Sequence, residues 1–256
     1  MKNNNSESVS VVTMLKFLPH CVTLASLCFG LTAIKMALNS RFEVAILCIV
    51  LSAFLDMIDG RLARSIGCDS DFGAELDSLC DLVNFGVAPG FVMYFCVLKN
   101  VYLFGWFVVL GLAAAMAIRL ARFNSTLDDE SNPHNILSKN FFLGVPAPMG
   151  AILFLLPLVL FLRFDFELPN LVVIIYEIFV ILLIPSSIGT VAVKGFSISV
   201  KNTRWFLLVL ALIIILAIQD TLLVIALFSI IYIISIPFFG FRYNRQKKSL
   251  ETGNNF

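Results

Sequence analysis

Four aspartates, Asp56, Asp59, Asp77 and Asp81, fall inside apolar runs where each is costly to bury, and their spacing restricts how the chain can fold around them. Asp56, Asp59, Gly60 and Ala63 stand at i, i+3, i+4 and i+7, one face of a helix; Gly73, Asp77 and Asp81 stand at i, i+4 and i+8, one face of another. Two helices with those faces opposed bring four carboxylates into one cavity, with small residues leaving room beside them. Four like charges share a low-dielectric pocket only when cations neutralise them. The pattern therefore predicts a divalent-metal site, with two ions the economical number. Hard carboxylate oxygens select Mg2+ or Mn2+ over zinc or copper. Acids that merely cap helices would leave the glycines and the second acidic stripe without a reason.

Composition decides the solvent. Of the 256 residues, 59% are hydrophobic and 14% charged, against roughly 25% charged in soluble domains. An integral membrane protein is expected, with no nucleic-acid partner, and the net charge of +1 is uninformative in total. Apolar windows fall at about 17–37, 42–63, 73–98, 101–121, 145–163, 168–188, 204–219 and 221–240. A helical span takes about 20 residues, so they predict an all-α bundle of about eight transmembrane helices. The range is six to eight, because the last two windows are short and divide at Gln219-Asp220. The window from Phe17 reads as the first span rather than a secretion signal, since no small-x-small cleavage site follows it.

With the N-terminus in the cytoplasm, fourteen of the eighteen lysines and arginines lie inside, leaving Lys35, Arg41, Lys99 and Arg163 outside. The acidic cluster then faces the cytoplasmic end of the bundle. Residues 1–16 form a cytoplasmic N-terminal segment, 17–240 one transmembrane domain, and 241–256 a polar cytoplasmic tail, expected to be disordered from Tyr243 to Phe256. Arg245, Lys247 and Lys248 of that tail suit anionic headgroups. The longest polar connection, Asn124 to Asn140, is expected as a loop over the mouth of the site. Cys21, Cys28, Cys48, Cys68, Cys80 and Cys96 include no C-x-x-C pair and read as small buried hydrophobes. His20 and His134 are too few for a zinc site.

The run Asp56-x-x-Asp59-Gly60-x-x-Ala63-Arg64, eight residues, then Gly73-x-x-x-Asp77-x-x-x-Asp81 resembles the signature of the CDP-alcohol phosphotransferase family at every fixed position. The resemblance implies a CDP-linked lipid or alcohol as donor, attack of an acceptor hydroxyl on its β-phosphorus, and CMP as leaving group. It implies Asp56, Asp59, Asp77 and Asp81 as metal ligands and Asp81 also as general base. Asp59, Gly60, Ala63 and Arg64 would receive the CDP pyrophosphate, with Arg64 suited to bidentate pairing, and Gly73 would allow close helix packing.

Flanking residues resemble the bacterial phosphatidylserine synthase branch of that family. They are Asp71 to Asp81 with Phe85-Gly86-Val87-Ala88-Pro89, then Arg119-Leu120-Ala121-Arg122-Phe123-Asn124, then Phe142-Leu143-Gly144-Val145-Pro146-Ala147-Pro148. The likeness runs from about residue 17 to 195. It implies CDP-diacylglycerol and L-serine as substrates in a membrane of lipids, with family members commonly homodimeric. Serine's carboxylate needs a cation, and Arg119, Arg122 and Lys194 are the candidates for acceptor binding. Two departures stand out. His20 takes the place of a usual Asn, and Ser187 and Gly189 stand where relatives often carry Arg and Pro. Glycerol 3-phosphate is the rival acceptor, giving a phosphatidylglycerophosphate synthase; the lost arginine argues mildly against an acceptor with its own phosphate. A cation transporter, the rival of a different class, accounts for intramembrane aspartates but not for Gly60, Ala63 and Arg64 at fixed offsets.

Overall fold

The computed structural model of the protein describes residues 4–67, 70–101, 103–127, 141–186, 189–191, 211, 215–216 and 218–251. Two compact units divide the chain, residues 1–114 and 115–256, and the division falls within one helix.

The first unit is built on α1 (Asn4–Leu38) and α2 (Phe42–Ile66), which pack along each other as a helical hairpin. Backbone bonds from Asn39, Ser40 and Arg41 to the last turn of α1 close the connection, with Ser40 in the left-handed region (φ 58°). On α1, Pro19, Thr23, Ser26, Gly30, Ala33 and Ala37 recur at helical spacing and all are buried. Phe17, Leu24, Leu31 and Leu38 recur every seven residues on an exposed apolar stripe. A small-residue seam inside and leucines outside is the pattern of a helix packed in lipid. α2 stops at Gly67 (φ 66°), whose N–H returns to the Ala63 carbonyl. α3 (Asp71–Asp81) starts at Ser70, whose hydroxyl accepts from the Gly73 N–H at 3.1 Å. The window predicted as one span over 73–98 is a compound helix. α3 leads into a π-helical turn (Leu82–Val87), then α4 (Ala88–Cys96) and a 3₁₀ turn (Leu98–Val101). α5 (Leu103–Leu127) follows and carries the chain into the second unit.

In the second unit, α6 (Ala147–Phe154) and α7 (Leu156–Phe164) form a pair bent by 45°. Pro157 has no N–H to return to the Leu153 carbonyl; the Tyr176 hydroxyl of α8 (Asn170–Leu183) donates to that carbonyl instead, at 2.9 Å. A two-stranded antiparallel ribbon pairs β1 (Phe141–Leu143) with β2 (Gly189–Val191), the one departure from an all-α architecture among the described residues. α9 (Thr221–Glu251) is capped by Asp220, which accepts from the Leu223 N–H at 3.0 Å and pairs with Arg163 at the end of α7. The Leu223 bond and then the guanidinium hold the Asp220 carboxyl below its ordinary range.

This is an all-α multi-pass membrane protein. Among the described residues four helices are long and apolar enough to cross a bilayer, or five when the bent pair is one span. The expected span over 168–188 is a helix of 14 residues, and most of 204–219 lies outside the described residues. Three expectations are corrected. The segment from Tyr243 to Phe256 is not wholly disordered, because α9 runs on to Glu251 through a sequence of Arg, Gln, Lys and Leu, good helix formers. The connection expected from Asn124 begins later, since α5 continues to Leu127; residues 128–140 lie outside the described set. Cys21 and Cys28 are exposed on the outer side of α1, whereas Cys48 and Cys80 are buried; all described cysteines are free, and Cys68 lies outside the described residues.

Glu177 is the anomaly of the second unit. It lies on the buried stripe of α8 with Val173, Val180 and Leu183, fully enclosed, and neither carboxyl oxygen has a hydrogen-bond partner. An unsatisfied buried polar group costs about 1–3 kcal/mol. Glu177→Leu should therefore raise the unfolding midpoint in detergent by several degrees. An unchanged or lower midpoint would show that the carboxyl gains more from its surroundings than it loses.

Candidate active site

Helical spacing places Asp56 and Asp59 one turn apart on α2, and the hairpin of Gly67 and Ser70 folds α3 back so that Asp77 meets them. One carboxylate oxygen from each of Asp56, Asp59 and Asp77 lies within 4.8 Å of the other two. Asp81, the last residue of α3, is half-buried and stands outside that close group. Asp59 is the most enclosed, 4% exposed, and its Oδ2 is buried with no hydrogen-bond partner. The Thr23 hydroxyl, which donates to the Pro19 carbonyl at 3.1 Å, stands beside it.

This donor set fits a hard divalent cation. Three carboxylates converge within coordination range of a common point, and a buried oxygen with nothing to satisfy it is the natural ligand of an ion. The carboxylates also repel one another in the absence of a positive charge.

Space beside the acids is kept open by glycine. A Cβ built on Gly60 would meet nothing nearer than the Arg64 Nη2 at 3.9 Å. Ala63 is half-buried and Arg64 is exposed on the last turn of α2. Gly73 serves another contact. A Cβ there would come within 2.9 Å of the His20 Cε1, so its absence lets α1 approach α3, and His20 meets Phe72 edge-on with ring centroids 5.7 Å apart.

The cations expected for the acceptor belong to the second unit. Arg119 is half-buried on α5, and Arg122 donates from Nη2 to the Ser186 carbonyl at 3.2 Å. Gly144 (φ 75°) lies against the same turn, where a Cβ would press on the Ile184 and Ser186 carbonyl oxygens at 2.8 Å each. Lys194 and Ser187 lie outside the described residues, and Gly189 opens β2.

Sequence reasoning passed over a polar group about one helical turn from Asp56 and Asp81. Asn84, in the π-turn, donates from Nδ2 to the Ser26 Oγ at 2.6 Å, and the Ser26 and Ser52 hydroxyls are 3.3 Å apart. All three residues are buried. The i, i+3, i+7 recurrence of Thr23, Ser26 and Gly30 on α1 was the available signal.

A family model described as CDP-alcohol phosphatidyltransferase matches residues 16–184, which include the whole acidic cluster. The chain belongs to this family. Curated relatives named CDP-diacylglycerol–serine O-phosphatidyltransferase agree. The chain is 46% identical to that protein of Mycobacterium leprae over 138 residues, covering 54% of this chain and 45% of the relative. It is 33% identical to that of Helicobacter pylori over 199 residues, covering 78% and 81%. It is 40% identical to that of Methanocaldococcus jannaschii over 132 residues, covering 52% and 55%. Against its mycobacterial relatives the chain spans about half their length. Members of the CDP-alcohol phosphatidyltransferase family generally depend on divalent metal, in keeping with the acids gathered here.

Proposed function

We propose that this chain transfers the phosphatidyl group of CDP-diacylglycerol to the hydroxyl of L-serine, giving phosphatidylserine and CMP. The observation that carries the reaction class is the convergence of Asp56, Asp59 and Asp77 beside the open face of Gly60. Serine as acceptor is supported by the activity for which the relatives are named.

Asp56, Asp59, Asp77 and Asp81 hold two divalent cations, Mg2+ or Mn2+. Such ions neutralise charge on the phosphates and the leaving group. Gly60 and Ala63 admit the CDP pyrophosphate to the α2 backbone beside Asp59, and Arg64 pairs with it. Asp81, left outside the tight group, takes the serine hydroxyl proton. The serine oxygen then bonds to the β-phosphorus as the bond to the CMP phosphate breaks. Arg119, Arg122 and Lys194 hold the serine carboxylate. Residues 17–240 act as the catalytic membrane domain, in a bacterial cytoplasmic membrane with the site facing the cytoplasm, and the enzyme works as a homodimer.

The test is CMP release by purified protein with CDP-diacylglycerol and Mn2+, with L-serine or glycerol 3-phosphate added separately and Asp81→Asn as control. Serine-dependent release that disappears in the control is expected. Release with glycerol 3-phosphate alone would keep the family chemistry and overturn the acceptor. No release with either alcohol would overturn the enzymatic reading.

A further inference from the structure

The π-turn directly after Asp81 has no part in the chemistry above, yet its Asn84, Phe85 and Gly86 are buried. π-helical turns are rare and unwind to α unless something holds them. Asn84 sits at the middle of this one, fully buried, and its amide ties the turn to Ser26 of α1 and through it to Ser52 of α2. Ser52 and Asp59 are seven residues apart on one face of α2, and Ser26 and Thr23 three apart on α1. The helices that enclose the acids are thus joined by a clamp about one turn from Asp56 and Asp81. Gly30 makes the room for it: a Cβ there would overlap the Asn84 amide oxygen and come within 3.2 Å of the Asn84 Cα.

Beyond the clamp, α4 is anchored by buried Ala88, Pro89, Val92 and Met93. If the π-turn relaxed to α-helix, the released residue would have to be absorbed by α3. One residue of slip turns a helix by about 100°, which carries Asp77 and Asp81 off the face that meets α2. We propose that Asn84 is a positioning residue: by clamping the π-turn to Ser26 and Ser52 it sets the rotation of α3 and so holds Asp77 and Asp81 toward the α2 carboxylates. The inference rests on the proposal that those carboxylates bind divalent cations.

The test is Mn2+ affinity of the purified full chain, read from the electron paramagnetic resonance signal of the free ion without nucleotide or lipid, beside the unfolding midpoint of the metal-free protein. Asn84→Leu, which keeps bulk but removes the amide, should weaken Mn2+ binding at least tenfold at temperatures where it remains folded. Gly30→Ala, which keeps the amide and displaces it, should move affinity in the same direction. Wild-type affinity in both variants, whatever their midpoints, would reduce the clamp to a packing role and overturn the proposal. If Asn84→Leu does not fold, Gly30→Ala and the milder Ser52→Ala decide by the same criterion. Absence of Mn2+ binding by the wild type would overturn the metal reading, and this inference with it.

Discussion

Asp59→Asn is expected to lose CMP release by about a thousandfold or more while making the metal-free protein more stable. The two effects have one cause. Asp59 is the most enclosed acid of the cluster, its Oδ2 has no partner, and Asp56 and Asp77 lie within 4.8 Å. Without a cation the carboxylate is a buried charge among like charges, which lowers stability. With one it becomes a ligand. Losing several kcal/mol of charge stabilisation in the transition state corresponds to about 10³-fold in rate. Relief of an unsatisfied buried group is worth about 1–3 kcal/mol. Calorimetry or scanning fluorimetry in detergent should show the wild type gaining stability with Mn2+, about 2.7 kcal/mol at a hundred times Kd. Asp59→Asn should start higher and gain little. A variant that melts below the wild type without metal would contradict this account.

Gly60→Ala is expected to separate folding from function in the opposite sense to a packing glycine. Its Cβ would enter open space, 3.9 Å from the Arg64 Nη2, so the fold has no steric reason for glycine there. Alanine is favoured over glycine inside a helix by about 0.8–1.0 kcal/mol. The metal-free variant should therefore melt at or above the wild-type midpoint. Its kcat/KM for CDP-diacylglycerol should fall at least tenfold, because the added methyl occupies the face proposed for the pyrophosphate. Activity at the wild-type level would remove Gly60 from the substrate path. Gly144 is the contrast. Its positive φ and two crowding carbonyls give glycine a structural reason, so substitution there should lower stability first.

Much of this architecture was readable because the information is local. The i, i+3, i+4, i+7 spacing of Asp56 to Ala63 requires only that its segment be helical, and both acidic segments are helices. Gly67 and Ser70, the C-cap and N-cap that the structure places between them, are equally local but were not singled out by the spacing. Apolar windows likewise named the solvent without any tertiary contact. Periodicity reports which face of a helix is distinctive, however, and not what that face meets. The Ser26–Asn84 bond joins residues 58 apart in the sequence, and the π-turn it accompanies has no composition of its own. The bend between α6 and α7 follows from Pro157, but the hydroxyl that satisfies the freed carbonyl comes from α8. Glu177 stands in an apolar window where its enclosure could not be foreseen. The types of group that gather and the faces they occupy follow from helical repeat and hydrophobicity, which are properties of short stretches. That Asp77 joins Asp56 and Asp59 while Asp81 stands apart depends on the rotation and depth of whole helices, which long-range packing sets.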